Sequence, residues 1–99
     1  MSNTQSWSEI KKYLKVGTKL TGVVTKHWPF GVFVLLPGIE FIGLVQITDF
    51  KDEGVMKPSE YPAVGASIDA VVLGFKETGQ QIWLGMKPSQ LNQSRNLEK

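Results

Sequence analysis

Apolar residues fall in short alternating runs broken by glycine, proline and charge, and one run stands apart. Residues 26–36 read Lys-His-Trp-Pro-Phe-Gly-Val-Phe-Val-Leu-Leu, apolar on both alternating sets from Val32 onward. On a strand, Val32, Val34 and Leu36 point one way and Phe33 and Leu35 the other. In a small barrel only one of those faces is inside. With the three aliphatic residues filling the barrel, Phe33 stands outside, and Phe30, just before Gly31, stands beside it. Two outward phenyl rings waste apolar area unless something stacks on them, and a nucleobase has the flat face to do so.

The same reading gives the other elements. Ser6-Trp7-Ser8-Glu9 has a hydroxyl at an N-cap and a carboxylate three residues on, a capping box. Trp7, Ile10 and Leu14 then form one apolar stripe, with Lys11, Lys12 and Lys15 off it. This predicts a helix over residues 7–14, too short to persist alone and therefore docked on the body through Trp7. Leu20–Lys26 reads as a first strand with Leu20, Gly22 and Val24 on one face, Gly22 marking tight coiling. Val32–Leu36 is the second strand, ended by Pro37-Gly38. Glu40–Gln46 is the third, with Gly43 as a bulge position. Residues 47–66 form a long polar connection expected to hold a helical turn near Thr48–Phe50 or Pro58–Tyr61. A fourth strand carries Ile68, Ala70 and Val72 inward and runs to Phe75. After a Glu77-Thr78-Gly79-Gln80 turn, Ile82, Leu84 and Met86 form the inward row of a fifth. Met1–Gln5 and residues 88–99 read as mobile ends. The division is an extension with a helix over 1–14, one all-β domain over 15–87, and a tail over 88–99.

Composition narrows the chemistry. Ninety-nine residues make one domain. No apolar run is long enough to span a membrane, and the polar first residues do not resemble a signal peptide. There is no cysteine and a single histidine, His27, which excludes disulfides and thiolate or multi-histidine metal sites and fits a cytoplasmic protein. With no phosphate loop either, neither an enzyme nor a cofactor is expected. Net charge is +2, but the 17–87 segment holds six lysines against seven acids. The body is not a polycation, so binding cannot rest on charge alone.

Five short strands with a long third-to-fourth connection predict a five-stranded antiparallel barrel of the OB type with the helix packed on it, although an SH3-like barrel fits the pattern as well. The motifs decide between them. Val16-Gly17, Gly22-Val23-Val24, Phe30-Gly31-Val32-Phe33-Val34, Gly43-Leu44-Val45-Gln46-Ile47-Thr48, Gly65, Ile68, Val72-Leu73 and Ile82-Trp83-Leu84 occur in the order seen in the S1 RNA-binding domain, the repeat of ribosomal protein S1. The chain resembles that family over residues 15–87. The resemblance implies an OB-fold barrel that binds single-stranded RNA on strands two and three, in translation or RNA metabolism. Of the family's ligand residues, the two aromatics match Phe30 and Phe33. The histidine position falls on Gln46, the aspartate on Lys76 and the arginine on Gln81, and the serine after the last strand's leucine is Gly85. Gln46 retains both a donor and an acceptor, Lys76 can meet a phosphate, and Gln81 lacks the bidentate fork of arginine.

Each candidate has a bland reading beside the functional one. Phe30 and Phe33 could pack beneath the helix as core. His27, at a position usually aliphatic in the family, is read as a buried or half-buried structural residue. Trp28 either extends the stacking face or covers the barrel end. Trp83, outward from Ile82 and Leu84, is read as the docking place of Trp7, with nucleotide stacking as the other reading. The expected function is a monomeric single-stranded RNA-binding module, with stacking on Phe30 and Phe33, further contacts from Gln46, Gln81, Trp28 and Trp83, and phosphates met by Lys26 and Lys76. Its partners would be RNA and the ribosome or RNA-processing proteins, not a membrane. The alternative is a protein-interaction module on the same barrel, supported by outward Leu35, Val71 and Trp83.

Overall fold

In the computed structural model, which describes residues 6–91, the capping box and every strand form close to where the pattern puts them. Helix α1 spans Trp7–Tyr13, and the strands are β1 Lys19–Trp28, β2 Gly31–Leu35, β3 Gly43–Gln46, β4 Ser67–Lys76 and β5 Gln81–Gly85. Single 3₁₀ turns at Ile47–Asp49 and Pro58–Glu60 occupy both places expected in the long connection. The strands close in the order β1-β2-β3-β5-β4, with β4 returning to β1. The barrel is not wholly antiparallel. Strands β3 and β5 run parallel, Leu44 beside Trp83, because the long connection lets β4 pair with β1 and brings β5 back beside β3.

The inward rows are as expected: Val32, Val34, Leu36, Ile68, Ala70, Val72, Ile82 and Leu84 are all buried in one cluster with Val24 and Val45. Gly22 allows the tight coil, since a Cβ there would lie 2.5 Å from Val34 Cγ1. Gly43 is not a bulge. A Cβ at this position would lie 2.5 Å from Leu84 Cδ1, so its role is to admit the Leu84 side chain between β3 and β5. The register shifts instead within β1, between Val24 and Lys26, and within β4, between Val72 and Gly74.

Each end of the barrel is closed. Ile10 of α1 and its C-cap residue Leu14 enter the core at one end. Trp7 is half-buried there, 5.1 Å from the Phe41 ring and 5.8 Å from the Phe75 ring. Both Glu77 carboxylate oxygens are engaged by the helix: Trp7 Nε1 donates to Oε1 at 2.8 Å and Lys11 Nζ to Oε2 at 2.8 Å. These two groups hold the Glu77 carboxyl below its ordinary value, the lysine contributing most. At the other end Phe50 and Tyr61 stack, rings 5.7 Å apart. Residues 88–91, expected to begin a mobile tail, form a helical turn in which the Gln90 side chain accepts from the Lys87 N–H at 3.0 Å. Ser89 donates to the Asp52 carboxylate through both its backbone N–H and its hydroxyl. Met1–Gln5 and residues 92–99, also expected to be mobile, lie outside the described residues.

Candidate nucleic-acid interface

The two register shifts build the outer face. By strict alternation Lys26 and Trp28 would share the inward face of Gly22 and Val24. The extra residue, Thr25, turns the strand over, so that Lys26 sits opposite Phe33 and Trp28 opposite Gly31. The shift around Leu73 does the same in β4. It turns Phe75 inward beside Ile82, where Trp7 meets it, and Lys76 outward beside Gln81. One row across the barrel exterior then runs Lys26, Phe33, Leu44, Trp83.

Phe33 is half-buried and Phe30 is 48% exposed, and neither belongs to the central cluster. The reading of these rings as core beneath the helix therefore fails. Leu44, which the sequence pattern did not single out, is the floor of the row. It is only 3% exposed yet lies outside the central cluster, between Phe33 and Trp83. Its alternation with Gly43 and Val45 was the available signal. Gln46 is half-buried and paired with Gly31, at the Trp28 end of the same face. Lys76 and Gln81 lie at the opposite end, two residues along β5 from Trp83. The Lys76 ammonium donates to the Thr78 carbonyl at 2.8 Å.

Trp28 is the hub of the aromatic group. Its ring lies nearly parallel to Phe30 (5.6 Å, 12°) and edge-on to Phe33 (5.4 Å, 65°). Lys26 Nζ is 4.6 Å from the indole centroid. Such ring pairs contribute about 0.5–1.5 kcal/mol each and an exposed cation over a ring about 0.5–1 kcal/mol. Against this, Trp28 Nε1 is buried with no acceptor among the described residues, which costs about 1–3 kcal/mol. The backbone beneath is fixed, because the Tyr61 hydroxyl donates to the Trp28 carbonyl at 2.6 Å. Burial pushes the Tyr61 phenol up from its ordinary value, so it stays a donor.

Three expectations change. His27 is exposed rather than buried, because β1 overruns the barrel end here. It is still structural, with Nε2 2.7 Å from the Pro62 carbonyl and its ring against Tyr61. Trp83 is not where Trp7 docks, since the Trp7 ring contacts are to Phe41 and Phe75. Val71 is not an exposed apolar residue: it is 4% exposed, paired with Gly85, over which the Gln90 side chain lies. Leu35, at 49%, remains exposed.

The S1 RNA binding domain model matches residues 13–87, three-quarters of the chain and the whole of this barrel. The chain belongs to the S1 RNA binding domain family. Among S1-containing relatives, the small ribosomal subunit protein bS1 of Neisseria meningitidis serogroup B is 40% identical over 74 residues, covering 75% of this chain and 13% of the relative. The bS1 protein of Leuconostoc lactis is 35% identical over 82 residues, 82% of this chain and 19% of the relative. The chain thus spans less than a fifth of these ribosomal relatives. Among solved structures, GSP13 from Bacillus subtilis superposes with a TM-score of 0.66 at 32% identity, covering 78% of this chain and 58% of that one. A chain of the a/eIF2alpha-aDim2p-rRNA complex from Pyrococcus horikoshii shares the fold, with a TM-score of 0.65 at 21% identity, covering 87% of this chain and 53% of that one. Phe33 of β2 and Gln46 of β3 lie on the outer face of this barrel, with Phe30 immediately before β2.

Proposed function

We propose that this S1 domain binds single-stranded RNA across the outer face of β1, β2, β3 and β5, with bases stacked on Phe30 and Phe33. The carrying observation is that Phe33 sits outward between Lys26 and Leu44, a ring with a cation on one side and an apolar floor on the other. Relatives that are ribosomal proteins, and a structural neighbour solved with rRNA, support an RNA partner. Gln46 would meet a base edge, Lys26 and Lys76 phosphates, and Trp83 and Gln81 the strand beyond Phe33. The domain would act as a monomer in the cytoplasm, on the ribosome or with RNA-processing proteins, as a binding module rather than an enzyme.

Phe33→Ala tests this. The variant stays folded, losing about 1 kcal/mol because a half-buried outer ring and not a core ring is removed. Its affinity for single-stranded RNA falls about five- to one-hundred-fold, one stacking contact. Duplex RNA binds poorly to both proteins, its bases being already stacked. Titration of a fluorescent oligonucleotide measures both. A folded variant with unchanged affinity moves the reading to a protein partner, for which the exposed Leu35, the outward Trp83 and the near-neutral body are the support.

A further inference from the structure

We infer that Trp28 is an internal competitor for the RNA site: in the free domain its indole occupies the position of a nucleobase against Phe30 and Phe33, and RNA binds by displacing it. This rests on the single-stranded RNA reading and adds a gate to it. A single indole lies against both rings that would receive bases, parallel to one face of Phe30 at 5.6 Å and edge-on to Phe33 at 5.4 Å. The same indole has the Lys26 ammonium 4.6 Å from its centroid, so the lysine paired with Phe33 is already engaged by a ring when a phosphate arrives.

The resting position is compromised in one respect. Among the described residues the buried Trp28 indole N–H has no acceptor, whereas the Trp7 N–H donates to Glu77 at 2.8 Å. Leaving the cluster would give that N–H an acceptor, whether water, a phosphate oxygen or a base carbonyl, and would offset the ring stacking given up. Only the side chain need move. The Trp28 backbone is paired with Gly31 and its carbonyl is held by Tyr61. A base entering the vacated place recovers the stacking, and a phosphate takes over the Lys26 ammonium. The charge and ring interactions that close the site are thus the ones that RNA would reuse.

The test is titration of the whole chain with an unstructured oligouridylate, read on the indole N–H signals by ¹H–¹⁵N NMR. The Trp28 signal is protected from solvent in the free domain. With RNA it shifts and either exchanges with water or takes the position of a hydrogen-bonded indole, while the Trp7 signal stays. In parallel, Trp28→Ala, its fold checked by its amide spectrum, binds the oligonucleotide about 3- to 10-fold tighter, the removal of one self-stacking competitor. An unmoved Trp28 indole signal on saturation overturns the gate even if the variant does not fold, and so does equal or weaker binding by a folded variant. In those cases binding with amide shifts along β1–β3 leaves the RNA reading standing. No amide shift at all ends both.

Discussion

At the residue scale, what a glycine omits matters as much as what a phenylalanine presents. Gly43 lies between Val34 of β2 and Ile82 of β5, and its missing side chain is the space into which Leu84 packs. Gly43→Ala places a Cβ 2.5 Å from Leu84 Cδ1, and Leu84 is fully buried. The substitution should destabilise the domain by about 1–3 kcal/mol, as overpacking does, measured by urea denaturation. An unchanged midpoint would show that β3 and β5 can part without cost. The outer-face substitution Phe33→Ala lies one residue along the ladder, Phe33 pairing with Leu44, so the pair separates packing from binding on neighbouring positions. Gly43 was legible as a special position from its place in a strand. That it yields to a leucine three-dimensionally adjacent but 41 residues distant was not.

At the element scale, α1 is held by a few specific contacts, since a helix of seven residues has little stability of its own. One of them titrates. Lys11, and after it Trp7, lower the Glu77 pKa below its ordinary 4.5. A carboxylate with a depressed folded pKa contributes stability that is complete above the unfolded value and is lost as pH falls through the folded one. Docking of α1 should therefore be unchanged from neutral pH down to about 5.5 and weaken progressively below the ordinary carboxylate range. The Trp7 indole signal reports it, and Glu77→Gln should remove the acid dependence. Glu60 behaves in the same sense at the other end of the barrel, lowered first by the Lys57 N–H and then by Lys51. A Trp7 signal indifferent to acid would mean that the Phe41 and Phe75 rings alone hold the helix.

At the scale of the whole molecule, the domain is nearly neutral and its outer face carries few cations. The register places Lys26 beside Phe33 and Lys76 beside Gln81, Lys19 lies further along β1, and Lys11 is already paired with Glu77. Only about two to four phosphates can be neutralised, so the log–log dependence of RNA affinity on salt should have a slope of about −1.5 to −3. Affinity measured between low and physiological salt decides this. A much steeper slope would shift the binding from the stacked rings to Lys12, Lys15 and the terminal cations. Affinity of this kind comes chiefly from aromatic faces, which read any base, so modest sequence preference follows.

The local pattern was enough for the capping box at Ser6 and Glu9, for the inward rows of β1, β2, β4 and β5, and for an outward Phe33, because these depend on hydrogen bonds three residues apart or on simple alternation. Alternation fails where the chain adds a residue: nothing in Val24-Thr25-Lys26 distinguishes a register shift from a continuous strand, and in Val72-Leu73-Gly74 the glycine is the one local signal. Those two shifts turn Lys26, Trp28 and Lys76 outward and Phe75 inward. They are set by the pairing of β1 with both β2 and β4 and by barrel closure. Likewise the parallel seating of β3 against β5 depends on where a long connection returns the chain. Local sequence determined which side chains are apolar and which strands exist. The closure of the barrel decided which of those side chains meet on the outside, since that face is assembled from four strands whose partners lie far apart along the chain.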